Sequence, residues 1–342
     1  MRLLSPAKRA ALVACSLMIG LLLAGCGEKK ETLTASGAKP EQLDLMLDYF
    51  PNADHAGIYA AEGGGHFKDV GLDVRIRQPA DPAAPIKQVA AGKVDLAVSY
   101  QPELLRARDR GLRVISVAAL VQRPLTSIIS LPKAGIRTPA DLAGKRVGTA
   151  GIDYQSAYLK TILEDAGVDP ESVEERNVGF GLTPALLTRK VDAVLGAFWN
   201  YEGTELRLRK KRPQVIRVEA AGVPTYNELV IVANEDALER DGDRIRRFIA
   251  ALALGTADLA RSPDLAIRGL LDANKDLDAK LQREVVRVTL PLFVGPRGKP
   301  YGYQDPVQWA AFARWMRAND LLRKLPNASG AFTNELLPGQ GP

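Results

Sequence analysis

Beyond residue 40 the chain alternates short apolar runs with amphipathic stretches, and this rhythm predicts its elements. Residues 43–50 alternate apolar and polar side chains, as a half-buried strand does. A break follows at 51–57, and 58–67 has the pattern of a helix with a Gly-rich end. Further strands are predicted at 70–77, 94–100 and 112–120, with helices at 84–91 and 103–110 between them. Strand-helix order of this kind predicts a doubly wound sheet, with the first two strands parallel.

Residues 126–130 read as an extended connector, after which the pattern restarts. A helical turn is expected at 138–142, strands at 146–149, 173–178 and 191–195, and helices at 154–166 and 184–189. Residues 214–219 are strand-like, and 228–233 read as a strand leading back. The halves echo each other: Ala-Ala-Gly-Lys-Val-Asp-Leu-Ala-Val-Ser-Tyr at 90–100 parallels Leu-Thr-Arg-Lys-Val-Asp-Ala-Val-Leu-Gly-Ala at 187–197. Two α/β lobes follow, one of residues 41–127 plus 231–335 and the other of 128–230, with strand ends facing across a cleft. Residues 245–260, 281–290 and 307–316 have helical apolar faces, and Trp309 and Trp315 on the last read as packing.

The first 40 residues stand apart. Arg2, Lys8 and Arg9 precede an apolar stretch at 10–23, and Leu-Ala-Gly-Cys at 23–26 resembles the bacterial lipobox. Residues 1–25 are therefore expected to be a signal peptide, Cys26 the lipidation site, and 26–40 a flexible tether. The expected location is the extracytoplasmic face of the cell membrane, held by that lipid. Cys15 would leave with the leader, so the mature chain would have no thiol for a disulfide, metal site or nucleophile. Losing the three basic leader residues lowers the formal charge from +6 to about +3, and no basic stripe interleaved with aromatics appears. A nucleic-acid partner is not expected.

Chemistry concentrates at Gly-Ala-Phe-Trp-Asn-Tyr-Glu-Gly, residues 196–203, directly after a buried β-branched run. Aromatics are only 6% of the chain, so this cluster is no accident of composition. Strand ends of open α/β sheets are where ligands bind. Ser99, Tyr100 and Gln101 occupy the corresponding strand end of the first half.

Lipobox, tether and two crossed lobes resemble the solute-binding proteins of ABC importers. Five stretches are similar to the thiamine-precursor family, which includes the ThiY-type binding proteins and the fungal thiamine-pyrimidine synthases. They are Asp-Tyr-Phe-Pro-Asn-Ala-Asp-His-Ala-Gly at 48–57, His-Phe-Lys-Asp-Val-Gly-Leu-Asp at 66–73, Ser-Tyr-Gln-Pro-Glu at 99–103, the 196–203 stretch, and Pro-Thr-Tyr-Asn-Glu-Leu at 224–229. The resemblance runs over roughly residues 43–260.

It implies an α/β, two-lobed periplasmic-binding-protein fold of type II, each lobe a doubly wound sheet with flanking helices and the ligand cleft between them. It implies binding of a 4-amino-2-methylpyrimidine, formylaminopyrimidine or hydroxymethylpyrimidine, and delivery by a monomer to ABC permease and ATPase subunits. No catalytic residue, cofactor or metal is expected.

Residues suited to such a ligand are then identifiable. Trp199 is the expected stacking platform, with Tyr226, Tyr100 and Tyr201 as further faces. Asn52, and after it Asn227, can pair with the aminopyrimidine edge as Asn reads adenine. Glu228 or Glu202 can accept from the amino group, and His55 and Gln101 complete the candidate set. Tyr154 and Tyr158, one helical turn apart, face either cleft or core. Alternatives on the same fold are riboflavin, or an alkanesulfonate or nitrate. Anions need cationic clamps, and these motif tips carry no Arg. A thiamine-pyrimidine synthase is a further alternative, set back by the missing thiols. Residues 126–130 and 228–232 are expected to hinge the lobes around the ligand.

Overall fold

A computed structural model describes residues 39–324 and 327–340. The expected signal peptide, most of the tether and Cys26 lie outside the described residues. The described chain builds two five-stranded mixed sheets flanked by helices. The first has the order β2-β1-β3-β10-β4, from β1 (Glu41–Met46), β2 (Leu72–Arg77), β3 (Leu96–Ser99), β4 (Val114–Val121) and β10 (Leu229–Asn234). The second has the order β7-β6-β8-β5-β9, from β5 (Thr126–Ser130), β6 (Arg146–Thr149), β7 (Glu174–Asn177), β8 (Ala193–Phe198) and β9 (Gln214–Arg217).

β1, β2 and β3 pair in parallel, as do β6, β7 and β8, because helices carry the chain back between them. The chain crossings break this rule. Residues 126–130 are no connector: β5 is wholly buried and pairs antiparallel with both β8 and β9. β10 lies likewise antiparallel between β3 and β4. Each crossing enters its sheet from the cleft side, whereas the βαβ units deliver their strands from the far side, so the polarity reverses. Thr126 and Ser127 thus belong to the second sheet, and Leu229 and Val230 to the first, which moves the sheet changes slightly from positions 127 and 230.

The helix expected at 58–67 is two helices, Ala56–Gly63 and His66–Asp69, separated by Gly65 at φ 80°. A left-handed residue ends a helix, and Gly adopts that conformation without steric cost. Ala56–Gly63 is wedged into a narrow space. A Cβ on Gly255 would lie 2.3 Å from the Ala61 nitrogen, and one on Gly269 would lie 2.3 Å from the Tyr59 carbonyl oxygen. Backbone-to-backbone approach of this kind seats the 48–55 turn against the C-terminal helices. Among those, Ala279–Phe293 packs on both the 53–55 turn and helix Glu202–Leu208, and so spans the two lobes. Trp309 is fully buried and stacks on Phe332 at 5.0 Å, and Trp315 stacks on Phe312 at 5.8 Å.

Gly255→Ala is expected to overpack this contact and lower the unfolding free energy by about 1–3 kcal/mol in urea denaturation. Gly242→Ala on the same helix meets no atom within 4 Å. It should leave stability unchanged or raise it by about 0.5–1 kcal/mol.

Candidate ligand-binding site

The first wall of the site is the turn that follows β1. Asn52 caps the 3-10 turn Ala53–His55, its Oδ1 accepting from the Asp54 N–H at 2.8 Å while its Nδ2 donates to the Phe50 carbonyl at 3.0 Å. The Asn52 N–H donates to His55 Nδ1 at 3.3 Å, which leaves the ring proton on Nε2. That proton faces Asp48 Oδ1 at 2.8 Å, and the Tyr100 hydroxyl, from the end of β3, donates to Asp48 Oδ2 at 2.7 Å. All four side chains are buried. The capping turn and β3 therefore lock one another through a single carboxylate.

The second wall comes from the end of β8. Successive side chains on an extended chain face opposite ways, so Phe198 and Trp199 cannot both face the cleft. Phe198 faces it. Trp199 turns away, donating from Nε1 to the Pro124 carbonyl at 3.2 Å, with the Arg217 guanidinium 4.1 Å over its ring. Glu202 points into the cleft, and its Oε2 accepts from the Phe198 N–H at 2.7 Å.

Between the walls lies a cavity of about 30 Å³, lined by Asp48, Asn52, Asp54, His55 and Tyr100 on one side and Tyr154, Gln155, Phe198, Tyr201 and Glu202 on the other. This is room for about one water molecule and falls well short of the roughly 300 Å³ or more of a small-molecule site. The lobes are shut upon it. Tyr49 donates to the Phe180 carbonyl at 2.7 Å with their rings edge-on, and Asn200 Nδ2 donates to Asp54 Oδ1 at 2.6 Å. Buried Gln282 accepts from the Ala53 N–H and donates to the Tyr201 hydroxyl, joining the same two walls from behind. A larger groove of about 1000 Å³ runs along Ala56–Gly63 from Tyr59 to Asp272, but it lies on the first lobe alone and lobe motion cannot close it.

Burial governs the electrostatics. It pushes Asp54 up to about 7, against the lowering influence of His55 and Asn200. It pushes Glu202 up to about 7 as well, against the Phe198 N–H. The lining holds three acids and no Lys, Arg or Cys. Among the described residues no cluster of His, Cys, Asp and Glu is arranged to hold a metal.

The structure brings five of the ten expected ligand residues to this cavity: Asn52, His55, Tyr100, Tyr201 and Glu202. It seats the other five elsewhere. Trp199 is spent on Pro124 and Arg217. Gln101 and Asn227 pair with each other, the Gln101 Oε1 accepting from the Asn227 N–H at 2.8 Å. Tyr226 is buried between Phe312 and Tyr158. Glu228 accepts from the Leu125 and Thr126 N–H groups at 2.6 and 2.7 Å and from the Thr126 hydroxyl at 2.9 Å, so it stitches the two chain crossings together. Asp48, Asp54, Gln155 and Phe198 line the cavity without having been singled out. Alternation did not mark Phe198, because a bulge at Gly196, φ 98°, shifts the register of β8, and the signal for Asp54 was its place directly before His55 in the capping turn.

Two mixed sheets joined by two crossing strands, with a cavity shut between them, define a two-lobed α/β binding fold. The same fold is found in the alkanesulfonate-binding protein SsuA from Xanthomonas axonopodis pv. citri bound to MOPS, with a TM-score of 0.67 at 18% identity over 87% of this chain and 99% of that one. Residues 52–266 match the family described as NMT1/THI5 like, and the chain belongs to that family. It is 36% identical to a formylaminopyrimidine-binding protein of Halalkalibacterium halodurans, over 93% of this chain and 97% of the relative. It is also 26% identical to a 4-amino-5-hydroxymethyl-2-methylpyrimidine phosphate synthase of Legionella pneumophila, over 89% and 95%.

Asp54, Glu202 and Glu228 all have folded-state pKa values raised by burial to about 7. The folded state then binds more protons than the unfolded state between their ordinary values and about 7, so stability should rise as pH falls through this window and level off at its lower value above about 7. Urea midpoints measured from about pH 8 to about pH 5 check the sign. Glu228→Gln should flatten the profile.

Proposed function

We propose that this chain is the substrate-binding component of an ABC importer and takes a 4-amino-2-methylpyrimidine, formylaminopyrimidine or hydroxymethylpyrimidine, into the cleft. One observation carries the reading: two buried carboxyl groups, Asp54 and Glu202, flank an aromatic slot that contains no cation. A carboxyl near its pKa offers both an acceptor and an O–H donor. An aminopyrimidine edge offers the complement, an exocyclic N–H beside a ring-nitrogen acceptor. Glu202 is the better candidate, because Asp54 is already engaged by Asn200 across the cleft. Tyr100, Tyr154, Phe198 and Tyr201 supply the flat faces, and each base-aromatic contact is worth about 1–3 kcal/mol. Asn52 and His55 act by holding the wall in place, since their polar atoms are engaged within the turn.

Similarity to the Halalkalibacterium protein supports the ligand class. The acid-rich lining speaks against a sulfonate or nitrate, whatever the fold shares with SsuA. The Legionella relative favours a synthase reading, yet the cavity lining has no Cys to act as a thiol. The lipobox-like sequence ending at Cys26 supports export and lipid anchoring at the outer face of the membrane. For a pyrimidine to enter, the lobes part about the crossings near residues 122–125 and 224–228.

Calorimetric titration with formylaminopyrimidine, hydroxymethylpyrimidine, riboflavin and taurine tests this. Binding of the two pyrimidines is expected, and heat from taurine or riboflavin alone would overturn the assignment. Glu202→Leu should weaken pyrimidine binding about 10- to 100-fold by removing a buried hydrogen-bonding group. Glu202→Gln keeps one donor and one acceptor and should stay within a few-fold of wild type, as should Trp199→Phe.

A further inference from the structure

The pole of the second lobe farthest from the cleft carries an unusual surface. Strand register places it: Ser130 of β5 pairs with Ala193 at the start of β8 and with Gln214 at the start of β9, whereas Thr126 pairs with Phe198 at the cleft end. Around that far end lies an open groove of about 610 Å³. Its rim holds Lys133, Arg189, Lys210, Lys211 and Arg212, all exposed and none with an ion-pair partner among the described residues. The single acid of the groove, Asp192, is neutralised by a two-point contact from Arg146 at 2.9 and 2.8 Å. Leu131 and Leu187 lie half-buried between the cations.

Helix ends explain part of this charge and not the rest. Helices Leu182–Leu187 and Glu202–Leu208 finish here, and a cation near a helix C-terminus is favourable within about one turn. Arg189 and Lys210 fill that role, both in the left-handed conformation where Gly is the ordinary residue. Lys133 lies on another segment, and Lys211 and Arg212 run on past Lys210 from the same helix end, so more charge gathers here than one cation at each of the two helix ends.

We infer that this basic groove is a docking face for an anionic phospholipid surface, on which the second lobe rests with its cleft turned away. Interspersed leucines and cations suit a membrane interface, where long basic side chains reach lipid phosphates and apolar side chains meet the acyl boundary. The cations are exposed and long-range, so the contact weakens as salt rises. No ligand-site residue takes part, and the inference does not depend on which ligand the cleft holds.

Hydrogen–deuterium exchange of the full chain, with vesicles of phosphatidylcholine alone or mixed with phosphatidylglycerol, tests it. Several-fold slower exchange is expected over residues 131–137, 188–192 and 209–214 on the anionic vesicles only. High salt should abolish the protection. So should the double variant Lys210→Glu, Lys211→Glu, whose cleft-ligand affinity should be unchanged. Equal exchange on both vesicle types, or protection that survives the charge reversal, overturns the inference. Protection by polyglutamate but not by anionic vesicles overturns it too, in favour of an acidic protein partner.

Discussion

Two chain crossings join the sheets, and one buried carboxyl group, that of Glu228, ties them at a single point. The N–H groups of Leu125 and Thr126 enter the second sheet where buried donors need partners, and Glu228 Oε2 accepts both. Its Oε1 takes the Thr126 hydroxyl, and Tyr226 adds its own hydroxyl at 3.1 Å. Since Glu228 immediately precedes β10, the two crossing strands β5 and β10 are anchored together. Any relative motion of the lobes has to bend the chain around this knot or break it.

The cleft follows from that anchoring. The crossing strands enter antiparallel, so the cavity is floored by the ends of their neighbours, β3 with Tyr100 and β8 with Phe198. Behind it runs a series of rings, Tyr100, Tyr154, Tyr158, Tyr226 and Phe312, with successive centroids 5.5, 5.1, 6.1 and 4.9 Å apart. Only Tyr100 and Tyr154 reach the cavity, and the remainder pack one lobe on the other. The same closure that buries these rings also desolvates Asp54 and Glu202, which is why carboxyl groups there sit so far above their ordinary range. Lobe closure and the chemistry of the site are thus one physical event.

Much of the architecture was legible in the chain. Strand and helix periods marked nearly every element, and the repeated Lys-Val-Asp run showed that two similar lobes exist. The crossings were read as a connector and a returning strand because a short apolar run does not reveal its direction or its neighbours. At the site, the 48–57 and 196–203 stretches both reach the cavity, yet only some of the residues singled out within them line it. Trp199 drew attention as the largest ring, while Phe198 beside it faces the cavity. Asn200, passed over between two aromatics, carries the contact to Asp54 across the cleft. Glu228 looked like a ligand carboxylate, and its partners, about a hundred residues away in sequence, could not be foreseen.

What the sequence determined by itself is therefore local: the periodicity of each element, the stretches that hold polar and aromatic side chains at strand ends, and the family those stretches belong to. Such features depend on residues within a few positions of one another. Tertiary structure alone decided which side of each stretch faces the cavity, which amides and carboxyls are consumed in holding the fold, and how far burial moves their protonation. Those outcomes rest on contacts between segments far apart in the chain, and on the exclusion of water that only the closed pair of lobes provides.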